Sequence, residues 1–189
     1  MGMQKGKMKK GFSYYIPLIL IGVGLIVLGL VAAKLISVDG LSSDYTVIPS
    51  EVNYPAPDLT LNNINGEQVT ISDFRNQIIL INNWATWCPP CKAEMPTLSR
   101  YYKDHSEQGF MLLGIEAGDP KDEVAKFAKD YNLSFPILLD PNNKSLSLFH
   151  NDNLPSSYVI DRNGNVVLAW TGPINKDMLE KYVTPLLEQ

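Results

Sequence analysis

Two near-continuous apolar runs, each followed by a helix-like stretch, narrow the fold of this chain more than any other feature. They are QIILIN, residues 77–82, and FMLLGIE, residues 110–116. Strands without polar alternation are buried on both faces, as in parallel sheets. Between the runs, the stretch from Pro89 to about Tyr102 is helix-like, and Pro96 should bend it because proline lacks the amide proton its turn needs. After the second run, Val124, Phe127, Ala128 and Tyr131 recur at i, i+3, i+4 and i+7, the stripe of an amphipathic helix. Parallel strands joined through helices require right-handed crossovers. Two hairpins are marked by Asn-Gly, the dipeptide that accepts positive φ at a tight turn: LTLNNINGEQVTI around Asn65-Gly66, and SSYVIDRNGNVVLAWT around Asn163-Gly164. FPILLD adds a short strand, and a closing helix runs from about Lys176, with Pro185 disturbing its end. The expected class is α/β: a central mixed sheet flanked by helices and preceded by a β-hairpin. The last 135 residues or so suffice for a core without covalent staples.

The front of the 189-residue chain is different. Gly11 to Ala33 is a run of 23 residues without a charge. As a helix it would span roughly 34 Å, enough for a hydrocarbon core of about 30 Å. Lys5, Lys7, Lys9 and Lys10 precede it and only Lys34 follows closely, an asymmetry that keeps the N-terminus in the cytoplasm. The expected organisation is a basic cytoplasmic tail over 1–10, a single-pass membrane anchor over 11–35, a linker over 36–54 and an extracytoplasmic domain over 55–189. A cleaved secretory signal is the alternative, although the apolar run exceeds the usual core of about 7–15 residues. Both export the domain. Four of the 16 basic residues lie in the first ten positions, against none of the 20 acidic ones, which leaves the rest of the chain at −8. An acidic exported domain argues against nucleic acid as a partner.

Cys88 and Cys91 are the two cysteines of the chain, in WATWCPPCKAEMP. A bridge between them closes too short a loop to add much stability. With no further cysteine, the pair is better explained by chemistry than by architecture. Cys88 falls at the N-cap of the helix, where free amides and the helix dipole favour a thiolate. Pro89 suits the first helical position. A thiolate there attacks a disulfide, and Cys91, one turn further in, attacks Cys88 to release the product. A structural zinc site needs four ligands, and no second CxxC or histidine pair is present. A copper-delivery or thiol-binding module could draw on His105 and His150, although both positions suit ordinary surface histidines. A peroxidase would usually have an arginine nearby, and Arg75, Arg100 and Arg162 are all remote in sequence.

From about Pro55 to Leu187 the chain resembles the thioredoxin superfamily, and more narrowly the membrane-anchored TlpA/ResA-like thiol-disulfide oxidoreductases, which include those serving cytochrome c maturation. The resemblance rests on APDLTLNNINGEQVTISDF, WATWCPPCKAEMP, FPILLD and LPSSYVID together. It implies a thioredoxin fold and a redox-active Cys88–Cys91 disulfide with no further cofactor. It implies a cis peptide at Leu154-Pro155, with Pro155 facing the disulfide and the backbone before it free to pair with a substrate strand. Trp87, Pro89, Leu154 and Pro155 are then the candidate substrate contacts. Trp84 and Trp87 are expected chiefly to fill the core around the motif. The family often places a glutamate after the second central strand; that position is Asp119 here, with Glu116 three residues earlier. Either could accept a proton from Cys91, although Asp119 before Pro120 also suits a helix cap. Implied partners are disulfide-bearing proteins, apocytochrome c among them, and a membrane thiol relay that resupplies electrons. A disulfide-forming oxidant is the opposite reading of the same site.

Overall fold

A computed structural model describes residues 15–35 and 48–188. The chain divides into two units, 1–44 and 45–189. In the first, helix α1 spans Tyr15–Leu35, and the large apolar side chains described on it are exposed. Among the described residues no helix is long and apolar enough to cross a membrane. The basic tail and most of the expected linker lie outside the described residues.

The second unit is built on one eight-stranded sheet in the order β1-β8-β7-β4-β5-β6-β2-β3. The two apolar runs are its middle, β4 (Ile78–Trp84) and β5 (Phe110–Glu116). They pair in parallel from Ile78↔Phe110 to Trp84↔Glu116, and every residue of β4 is buried. Helix α2 (Pro89–His105) crosses from β4 to β5, and α3 (Lys121–Asp130) from β5 to β6 (Ile137–Leu139). The C-terminal hairpin, β7 (Ser156–Ile160) and β8 (Asn165–Thr171), places β7 antiparallel against β4. Its turn contains Gly164 at φ 86°, a conformation open to glycine.

Strand alternation splits the core in two. Ile78, Leu80 and Trp84 face the helices, where Met95 and Leu98 of α2, Val124 and Phe127 of α3, and Leu179 pack on them. Ile79 and Ile81 face the other side, against Leu59, Leu61, Ile71, Phe149 and Tyr158. Each such side chain contributes about 1.5–3 kcal/mol through burial. Gly114 of β5 admits the closest packing: a Cβ there would stand 2.6 Å from the Phe135 ring.

Several expectations change. The predicted hairpin precedes the central strands, as β2 (Thr60–Asn63) and β3 (Gln68–Thr70), and the structure adds that it extends the sheet edge through β2–β6 pairing. The linker ends sooner than expected, because β1 (Ser50–Pro55) pairs antiparallel with β8 at the opposite edge. Five-residue α4 (Lys144–Leu148) was not anticipated. The closing helix comes in three pieces: α5 (Lys176–Met178), a π turn over Leu179–Val183, and α6 (Thr184–Leu187). The π turn lies directly ahead of Pro185, whose ring would strike the carbonyl of a regular α-turn.

Candidate active site

The strand order brings the chemistry to the C-terminal end of β4. Trp84 ends the strand within the core, the chain turns through 85–87, and Cys88 becomes the N-cap of α2. Cys88 and Cys91 are joined as a disulfide. The Cys91 amide donates to Cys88 Sγ at 3.3 Å. It is the first donor in the helix, because Pro89 and Pro90 occupy the two positions before it and carry no N–H. The expected cluster of free amides around Cys88 is therefore thinner than a helix N-terminus ordinarily supplies.

Cys91 is fully buried beside Trp84 and Met95, while Cys88 exposes 3 % of its surface. Cys88 is thus less exposed than a sulfur at a helix mouth suggests. It nevertheless lines an open depression of about 420 Å³, together with Trp87, Pro89, Leu146 and Leu154. Trp87 corrects the core-filling expectation: it is 64 % exposed and rims the depression, and of the two residues Trp84 alone fills the core. The Leu154-Pro155 peptide is cis. Pro155 is buried, one residue beyond the last β7–β4 pair, Asn83↔Ser156, and so beside the end of β4. Among the described residues neither the amide nor the carbonyl of Leu154 takes a hydrogen bond.

The two acidic candidates form one unit. Glu116 ends β5 fully buried, on the face that looks toward α2. Both its carboxylate oxygens accept from the Asp119 amide, at 3.0 and 3.1 Å. Burial pushes its carboxyl up to about 8, and the nearby Asp119 and Asp140 charges add to this. Asp119 does not cap α3, whose cap is Pro120. Its Oδ2 instead accepts from the Thr86 amide at 2.8 Å and the Thr86 hydroxyl at 2.7 Å. Burial would raise Asp119, but these bonds outweigh it and hold its carboxyl below the usual range. Asp119 therefore ties down the turn that presents Cys88.

A third carboxylate was unassigned in the sequence. Glu94 stands one helical turn beyond Cys91 on the same face and is buried. Its Oε1 accepts from Asn82 Nδ2 at 2.8 Å, and its Oε2 from the Ile174 amide at 2.7 Å. Burial pushes its carboxyl up to about 8 against these two bonds. The signal was present: Cys91, Glu94, Met95 and Leu98 form an i, i+3, i+4, i+7 stripe, and a carboxylate in an apolar stripe is out of place.

His105 lies against Tyr101 with its ring tilted by 43° and meets Gln108 at 3.2 Å, and His150 is exposed. Among the described residues no three metal-ligating side chains come together. Arg162 donates to the carbonyls of Leu186 and Leu187, and no arginine lines the depression, so the peroxidase reading lacks its cation.

A disulfide at the mouth of a helix that follows the central strand, beside a cis-proline loop, defines a thioredoxin-like thiol-disulfide oxidoreductase. The AhpC/TSA family profile matches residues 52–169, and the chain belongs to that family. It is similar to the thiol-disulfide oxidoreductase ResA of Geobacillus kaustophilus, 36% identical over 132 residues that cover 70% of this chain and 76% of the relative. ResA of Bacillus subtilis is 33% identical over 128 residues, covering 68% and 72%. Among solved structures, a thiol:disulfide interchange protein of the thioredoxin family from Chlorobium tepidum superposes with TM-score 0.65 at 26% identity, covering 73% of this chain and 99% of that one. StoA from Bacillus subtilis superposes with TM-score 0.60 at 26% identity, covering 69% and 98%.

Proposed function

We propose that the protein is a membrane-tethered, extracytoplasmic reductant of selected protein disulfides, with apocytochrome c before haem attachment as one substrate. The observation that carries the redox reading is the Cys88–Cys91 disulfide opening on a depression walled by the cis-proline loop. Tethering is supported by the uncharged run over 11–33 and the lysines before it. The reductive direction and the cytochrome substrate are supported by the resemblance to TlpA/ResA-like proteins. The pair acts without a further cofactor.

In the reduced protein the Cys88 thiolate attacks one sulfur of the substrate disulfide. That S–S bond breaks, a mixed disulfide forms, and the departing substrate sulfur takes a proton. The substrate backbone pairs with the free amide and carbonyl of Leu154. Cys91 then loses its proton and attacks Cys88 Sγ. The internal disulfide forms, the second substrate thiol leaves, and two electrons and two protons have passed to the substrate. Glu94, one turn from Cys91 and with its carboxyl pushed up to about 8 by burial, is the carboxylate best placed on α2 to take the Cys91 proton, and Glu116 is its counterpart on the sheet. Resetting the site requires two electrons from a membrane dithiol relay on the oxidising side.

Trapping tests this reading. Cys91→Ser in the full chain should accumulate mixed disulfides through Cys88, and mass spectrometry should find apocytochromes among the captured proteins. Capture through Cys88→Ser instead would reverse the roles of the two sulfurs. A reduction potential near the about −120 mV of a strong disulfide oxidant, rather than near about −270 mV, would reverse the direction.

A further inference from the structure

The depression at Cys88 carries one charged side chain, and nothing among the described residues neutralises it. Asp152 lines the depression with Trp87, Leu146, Asn153 and Leu154. It is exposed, and among the described residues it makes no ion pair or hydrogen bond. Its place is nevertheless built. Asn151 Oδ1 accepts from the Asn153 amide at 3.1 Å and from Asn153 Nδ2 at 3.0 Å. Asn151 Nδ2 in turn donates to Thr171 Oγ1 on β8 at 2.8 Å. The loop on either side of Asp152 is thus tied to the sheet while the carboxylate stays unpaired. Lys144 of α4 gives no relief, since it lines a separate depression with Thr60 and Gln68.

We infer that Asp152 makes this depression a docking surface for an extended substrate segment with a lysine or arginine beside the disulfide cysteine. The inference rests on the reductase reading above and adds a substrate class to it. The apolar wall of Trp87, Leu146 and Leu154 takes the segment's neutral side chains. The free backbone of Leu154 sets its register. Asp152 stands on the rim, where a cation close to the attacked sulfur comes within reach. An acidic balance of −8 past residue 10 draws basic proteins to the domain as a whole, but it cannot select at one position.

The test uses the full chain, reduced and freed of reductant, with three peptides of one sequence carrying an internal disulfide. They differ only in the residue beside the attacked cysteine: lysine, alanine or glutamate. Second-order rates of peptide reduction are measured at low and high salt. Wild type should reduce the lysine peptide about fivefold faster than the glutamate peptide, the size of effect an exposed ion pair supplies, and salt should erase the difference. Asp152→Asn should remove most of the lysine-over-glutamate preference, and Asp152→Lys should invert it. Equal wild-type rates for the three peptides, or a preference that survives in Asp152→Asn, would overturn the inference while leaving the reductase reading intact. Failure to reduce any of the three would overturn both.

Discussion

Cys88 meets a helix N-terminus stripped of two donors. The N-cap side chain ordinarily receives an N–H from the second or third helical residue. Here the second is Pro90, so only the Cys91 amide reaches Sγ. Pro90→Ala restores a donor and should lower the Cys88 pKa in the reduced protein by about 0.2–0.7 units, the worth of one favourable interaction at a helix terminus. Thiolate absorbance against pH measures it, and an unchanged or higher pKa would show that the prolines do not limit the thiolate. Little of this is legible in a motif alone: CxxC reveals the reacting pair, whereas the arrangement of donors depends on where the helix begins. Glu94 is the opposite case. Its place in an apolar stripe was readable, but the partners that make sense of it, Asn82 and the Ile174 amide, arrive from β4 and from 80 residues further on.

Individual strands and helices were recovered where their patterns are local. β4, β5, α2 and the β7–β8 hairpin follow from apolar runs, helical spacing and Asn-Gly. β1 could not be read, because five of its six residues are exposed and its pairing comes entirely from β8. The sheet position of the β2–β3 hairpin depends likewise on β6, far along the chain. Two tight contacts test this architecture. Gly114 lies against Phe135 and Trp84, both deep in the core, so Gly114→Ala should destabilise by about 1–3 kcal/mol in denaturant titration. Wild-type stability in that variant would mean the rings move aside freely. Buried Asn83 links two walls of the depression: its Oδ1 accepts from Ser145 of α4 at 2.6 Å, and its Nδ2 donates to Ser156, next to the cis-proline, at 3.2 Å. Asn83→Ala should cost about 1–3 kcal/mol and raise KM for peptide disulfides more than it lowers kcat. An unchanged KM would separate Asn83 from substrate positioning.

Across the whole molecule, two of the buried carboxylates, Glu94 and Glu116, oppose folding as pH rises. Glu94 and Glu116 have folded pKa values raised to about 8, whereas in the unfolded chain they ionise near about 4.3. Between these values the unfolded state binds fewer protons, so stability is greatest below the lower value and falls as pH climbs through the upper one. Denaturation midpoints of the oxidised protein should therefore decline from about pH 5 to pH 8. Glu94→Gln or Glu116→Gln should each flatten that decline, and a slope unchanged in both variants would locate the linkage elsewhere. The central claim concerns the sulfurs themselves: Cys88 is the ionised, attacking sulfur and Cys91 the buried one that completes the exchange. The direct measurement is the pH dependence of alkylation in the reduced full chain, read for each cysteine by mass spectrometry. Cys88 should react first, with a pKa below the about 8.5 of free cysteine, and Cys91 should lag with a higher one. Alkylation led by Cys91, or a Cys88 pKa at or above that of free cysteine, would contradict the account.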